Sequence, residues 1–155
     1  MRTIVVGLGN PILSDDSVGI KVAGLVKQRL AGSVGVDVIE AYAGGLRLME
    51  AIAGYDRAII VDAVKTGDHA PGTIRKLSPD SLSRTRNTLC THDGDLPTAL
   101  ALGRDLGLKL PDSVEIIGIE VDEVEQFSEE LTGEVAAALP AAVDEVLRRC
   151  GMIKP

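Results

Sequence analysis

Four stretches of the chain are apolar almost without interruption: residues 3–9, 36–41, 57–63 and 114–121. They are rich in Val and Ile and do not alternate with polar residues, which is the pattern of strands covered on both faces. A weaker run over 72–77 alternates and follows Pro71, so it reads as an edge strand. The segments between these runs carry helical spacing. Val18, Val22, Leu25, Val26 and Leu30 form one face of a first helix, with Ser14 or Asp15 as its cap and Lys27 and Arg29 near its C-terminal end. Residues 45–53 make a short second helix. Asp95 caps a third, with Pro97 in its first turn and Gly107 as its stop. The last begins at Thr132, places Val135, Leu139, Val143, Val146 and Cys150 on one face, bends at Pro140 and ends at Gly151. Strands alternating with helices predict right-handed βαβ units, hence an α/β fold with a mostly parallel, five-stranded sheet between helices.

Composition narrows this picture further. A chain of 155 residues is expected to be one domain, 1–155. Hydrophobic residues make up 45% but aromatics only 2%, so the core must be aliphatic. The formal charge of -7 repels phosphate backbones and argues against nucleic acid as a partner, while it suits a divalent cation or a basic peptide. Two cysteines, Cys90 and Cys150, are too few for a disulfide framework, which points to a reduced, cytoplasmic setting. The N-terminal apolar run is too short for a secretory signal, and no run of about 20 apolar residues predicts a membrane span.

Chemistry is concentrated where the first strand ends. Ile4-Val5-Val6 runs into Gly7-Leu8-Gly9-Asn10, and Asp15-Asp16 follow just before the first helix. In open α/β sheets, ligands bind beyond the carboxyl ends of the strands, so this turn sets oxygen donors at such a place. Asp16 has a plainer reading as an acid favoured by the helix dipole, and Asp15 shares it. Asp62 ends the apolar run Ile59-Ile60-Val61; a carboxylate there is costly unless paired or metal-bound, or it caps the next turn. His92 precedes the third helix and is either a site residue or a solvated loop histidine. His69 lies in a Gly- and Pro-rich turn and reads as solvated. Cys90 is a small buried cysteine or else a fourth ligand or nucleophile. Two carboxylates and an imidazole make a mixed donor set that leaves positions open for substrate and suits nickel or zinc. Ser14 and Ser17 flank the acids without a Gly-x-Ser-x-Gly elbow, and there is no His-Glu-x-x-His motif.

Gly7-x-Gly9-Asn10, the short apolar link and Asp15-Asp16 resemble the opening of the hydrogenase maturation endopeptidases. The resemblance implies a three-layer α/β/α fold. It also implies removal of the C-terminal extension of a nickel–iron (NiFe) hydrogenase large-subunit precursor after nickel insertion. Asp16, Asp62 and His92 stand at the family's metal-binding positions and are the expected catalytic and metal-contacting residues. The nickel would be that of the substrate, with zinc or another divalent metal possible in isolation. Whether the metal is only recognised or also acts as a Lewis acid stays open. Three rival readings remain. A non-catalytic metal-binding or docking module would keep the same trio. A peptidyl-tRNA hydrolase shares Gly7-Leu8-Gly9-Asn10-Pro11, but its following histidine is replaced here by Ser14-Asp15-Asp16-Ser17. A dinucleotide-binding protein would use Glu40 on a ribose, yet its third glycine is Ile12 and the two aspartates would repel a pyrophosphate. The chain departs from the endopeptidase pattern at Glu40-Ala41-Tyr42-Ala43 and at Ser17, which bears on substrate choice more than on the metal site.

Overall fold

The computed structural model describes residues 1–82 and 95–152. Among them, five strands form one sheet: β1 (Thr3–Leu8), β2 (Val36–Ala41), β3 (Arg57–Val64), β4 (Ile74–Leu77) and β5 (Ser113–Glu120), in the order β2-β1-β3-β5-β4. All neighbours are parallel except β4, which runs antiparallel to β5 at the edge. The helices are α1 (Val18–Arg29), α2 (Gly45–Ile52), α3 (Pro79–Leu82), α4 (Leu96–Asp105) and α5 (Gly133–Arg149). The α/β fold and the mostly parallel five-stranded sheet expected from the pattern are present. Strand ends differ from the sequence expectation by one or two residues, the usual margin at element boundaries.

The near-continuous apolar strands serve two cores at once, because successive side chains alternate between faces. On one face Val5, Ile59, Val61, Ile117 and Ile119 pack with α1 and α5 through Val22, Val26, Val143 and Val146. On the other, Ile4, Val6, Ile60 and Ile116 pack with α2 and α4 through Leu48, Ile52, Leu96 and Leu100. The apolar face expected for α5 is present, with Leu139 and Cys150 at its margin. Leu25 departs from the expected face of α1 and is exposed, since it sits at the rim of the stripe that Val22 and Val26 occupy. Asp95 caps α4, its Oδ1 accepting from Thr98 N at 2.8 Å. Hydrogen bonding from the Thr98 side chain, and then from its backbone N–H, holds the Asp95 carboxyl below the usual carboxylate range.

At the amino edge of the sheet, Glu115 on β5 gathers Arg57, Lys76 and Arg149. Burial alone would raise its carboxyl, but bonding and attraction from Arg57, with Arg149 and Lys76, outweigh burial and lower it. A lowered carboxylate contributes stability above its unfolded value, about 4.3, and loses it as pH falls through the folded value. Thermal melts from pH 7 to pH 3 should therefore show a steeper loss of Tm in the wild type than in Glu115→Gln. Parallel curves for the two proteins would remove Glu115 from the account of acid sensitivity.

Candidate active site at the carboxyl edge of the sheet

The turn after β1 is built by close backbone approach. Gly9 has no room for a side chain, because a Cβ there would collide with the Asp16 carbonyl oxygen. Gly19, at the start of α1, presses against the carbonyl oxygens of Leu8 and Val61, so α1 begins over the seam between β1 and β3. Between these glycines the chain makes a 3-10 turn, Ser14–Ser17, all four residues of which are buried. Ser14 opens it at φ 42, a left-handed backbone that costs a non-glycine residue about 1–3 kcal/mol. Its surroundings hold it there: Ser14 N donates to Ser128 O at 2.8 Å and Ser14 Oγ to Glu130 O at 3.0 Å.

Two adjacent acids then play different parts. Asp15 is fully buried and points away from the helix it was expected to cap; Ser17 stands at the N-cap position of α1 and makes no side-chain cap bond. The Asp15 carboxylate instead accepts four bonds from the loop between β5 and α5. Thr132 N donates at 2.7 Å and Thr132 Oγ1 at 2.8 Å, with Glu123 N at 3.0 Å and Asp122 N at 3.1 Å. The backbone answers, with Asp15 N donating to Glu123 O at 2.9 Å. Asp15 is thus an anchor between two loops whose residues are more than 100 positions apart in sequence. Asp16 is 1% exposed, and its Oδ2 accepts from Asn10 N at 2.9 Å. Asn10 closes the loop further, its side chain accepting from Ile12 N at 3.1 Å. The glycine turn and its asparagine therefore fix the second acid, while the first acid fixes the turn.

Asp62 is 0% exposed near the end of β3 and is itself partnered. It continues the series Ala58 and Ile60, which faces α2 and α4, and its partner across the strand pair is Gly118, which adds no bulk beside the carboxylate. The 3-10 turn packs against β3, so Asp16 and Asp62 lie at the same end of the sheet. Sequence reasoning missed a further buried acid on that edge. Glu120, at the end of β5, accepts from Thr66 N at 2.8 Å, Thr66 Oγ1 at 2.7 Å and Gly67 N at 3.2 Å, and meets Arg75 at 3.4 Å. It pins the loop after β3. A final acid on a Val- and Ile-rich run, as in Ile117-Gly118-Ile119-Glu120, repeats the signal that singled out Asp62.

His92 and Cys90 lie outside the described residues. The helix that follows them starts at this edge: Gly54 N donates to Lys109 O at 2.8 Å and Asp112 N to Asp56 O at 3.0 Å, which ties the far end of α4 to the amino edge. Asp95, at the near end of α4, therefore belongs to the carboxyl edge, three residues after His92 in sequence. His69 is exposed on the loop after β3, as its Gly and Pro neighbours suggested. Among the described residues, no three His, Cys, Asp or Glu side chains cluster as a metal site. Glu40, the residue a dinucleotide reading would use, accepts from the Tyr42 hydroxyl at 2.9 Å. That bond, followed by the Glu40 charge, raises the tyrosine above its usual range. No helix among the described residues is long and apolar enough to cross a membrane.

Known proteins share both the sequence and this architecture. The family model described as hydrogenase maturation protease matches residues 20–149. The hydrogenase 2 maturation protease of Escherichia coli K12 is 28% identical over 148 residues, covering 95% of this chain and 89% of that protein. The hydrogenase expression/formation protein HupD of Rhizobium leguminosarum bv. viciae is 24% identical over 149 residues, covering 95% and 73%. Among solved structures, the hydrogenase maturating endopeptidase HybD from E. coli superposes with a TM-score of 0.78 at 26% identity, covering 97% of this chain and 94% of its own. The NiFe hydrogenase maturation protease HybD from Thermococcus kodakarensis gives 0.74 at 25% identity, covering 96% and 99%. With the family model spanning most of the chain and the whole fold shared, this chain belongs to the hydrogenase maturation proteases and is an endopeptidase.

Proposed function

We propose that this endopeptidase removes the C-terminal extension of a NiFe hydrogenase large-subunit precursor, in the cytoplasm, after nickel has been inserted. The observation that carries the reading is the pair of buried carboxylates, Asp16 and Asp62, held at the carboxyl edge of a maturation-protease fold. Carboxylates are expensive to bury, and these two sit where open α/β sheets bind ligands, not in either apolar core. His92 is the third member of the proposed trio. Two oxygen donors and one imidazole fit a borderline divalent ion and leave coordination positions for the substrate's own groups. Nickel here belongs to the precursor; bound beside the trio, it would mark the substrate as mature enough to cut. The chain's own residues do the positioning: Asn10 N fixes the Asp16 carboxylate, and the sheet fixes Asp62.

The test compares nickel-loaded with nickel-free precursor. Loaded precursor should lose a single C-terminal fragment by mass spectrometry, and nickel-free precursor should stay intact. Equal cleavage of both would remove nickel recognition from the proposal, and cleavage of neither would leave the docking-module reading in its place. The imidazole is tested separately. Titrating nickel by calorimetry, His92→Ala should bind at least about tenfold more weakly than His69→Ala, because loss of one of three ligands is not recovered from water. Equal affinities in the two variants would exclude His92 as the ligand.

A further inference from the structure

An aliphatic core leaves this chain with only three aromatic residues, two Tyr and one Phe. Its sole phenylalanine is not in the core at all: Phe127 is 79% exposed. The loop that carries it is bonded to the catalytic-edge turn. Ser128 N donates to Ile12 O at 2.9 Å and Ser14 N to Ser128 O at 2.8 Å, a parallel bridge between Leu13 and Ser128. In a parallel bridge, the residues one step before each partner lie side by side and face opposite to it. Leu13 points inward and is buried, so Ile12 and Phe127 form an adjacent pair facing out; Ile12 is 48% exposed. The pair stands on the rim of the turn that holds Asp16. Across that turn, Gly9 N donates to Ala41 O at 3.0 Å, which brings Tyr42, 64% exposed, to the opposite rim.

The surroundings of the pair specify the charge of what covers it. The loop 122–132 carries Asp122, Glu123, Glu125, Glu129 and Glu130 and no cation. Asp122, Glu129 and Glu130 are exposed on the same loop as Phe127. An apolar contact ringed by one sign of charge discriminates among partners and speeds encounter with the complementary one. A second copy of this chain, at net -7, meets that loop with the wrong sign.

We propose that Ile12 and Phe127, with their acidic surround, form the docking surface for a basic segment of the large-subunit precursor that carries an apolar anchor residue. This rests on the peptidase reading above and names the surface through which the substrate is held. The contact lies beside Asp16 but contributes no group to the trio. It therefore acts on substrate affinity and leaves the cutting step alone.

The test is steady-state cleavage of nickel-loaded precursor by the full-length protein. The double variant Ile12→Ser/Phe127→Ser should raise KM about tenfold or more and hold kcat within about twofold, the pattern of lost ground-state binding. Its melting temperature should match the wild type, since both side chains are exposed. Glu129→Lys/Glu130→Lys should also raise KM, and should weaken the rise of KM with salt that the wild type shows. An unchanged KM in the Ser variant, or a fall in kcat alone, overturns the docking surface while wild-type cleavage keeps the peptidase reading. Wild-type protein that cuts no precursor overturns both. A variant whose only change is in self-association by sedimentation assigns the pair to contact between copies and overturns the proposal.

Discussion

Asp62→Ala should abolish precursor processing and leave the protein folded. The side chain is fully buried near the end of β3, so its truncation removes a carboxylate that is costly to keep there, not an apolar group that fills the core. Whatever polar interaction it makes is lost, at a cost of about 1–3 kcal/mol, against the roughly 5–15 kcal/mol that hold a domain together. At Gly118 across the strand pair there is no side chain to collapse into the space, so the sheet register stays as it is. The catalytic effect is expected to be far larger, on the order of a thousandfold or more, because on the proposed function Asp62 is one of the trio and is lost whole. Asp62→Asn separates charge from shape: it retains the volume and hydrogen-bonding reach and should be nearly as inactive. Mass spectrometry of the precursor and a thermal melt read the two properties. Normal processing by either variant would remove Asp62 from the site, and a variant that does not fold would return it to the role of a strand-end acid.

The residues that were legible from sequence are those whose reason is local. Val and Ile runs announce strands, Asp95 with Pro97 announces the start of α4, and an acid closing an apolar run, as at Asp62, stands out against the cost of burying charge. The family likeness was legible for the same reason, since Gly7, Gly9 and Asn10 are crowded into a short segment. Those positions have steric causes: Gly7 packs against Gly19 and Ala23, and Gly9 against the Asp16 backbone. What was not legible depends on distant chain. Asp15 looked like a helix cap because its neighbours in sequence begin a helix, yet its four donors come from residues 122–132. Pattern also gives no warning that the one phenylalanine is exposed, since an apolar residue between polar ones is read as loop or strand and not as surface. Glu120 carries the same local signal as Asp62, but it falls within the apolar run 114–121 and is hidden as part of that strand. Only its bonds to Thr66, Gly67 and Arg75 give it a purpose.

Asp15→Ala should cost more stability than any other single polar truncation at this edge, about 3–5 kcal/mol, and should abolish processing although Asp15 lies outside the proposed trio. The stability loss follows from four donors left without an acceptor in a fully buried place, three of them backbone groups that cannot turn elsewhere. For a domain of this size it corresponds to a fall in Tm of roughly 10 °C. The activity loss follows from what the bonds restrain. Released from Thr132, Asp122 and Glu123, the turn no longer has its counterweight, and Ser14 can leave the left-handed backbone that only its surroundings maintain. Asp16, the next residue but one, then loses its bond to Asn10 N. Asp15→Asn should fall between the two, because its amide presents a donor towards other donors. Stability alone must be controlled for, and Leu147→Ala does so: it empties core space under α5, costing about 2–5 kcal/mol, with the turn untouched. At a temperature where both variants are folded, Leu147→Ala should process precursor near the wild-type rate and Asp15→Ala should not. Equal rates in the two would show that Asp15 holds the fold together without holding Asp16 in place.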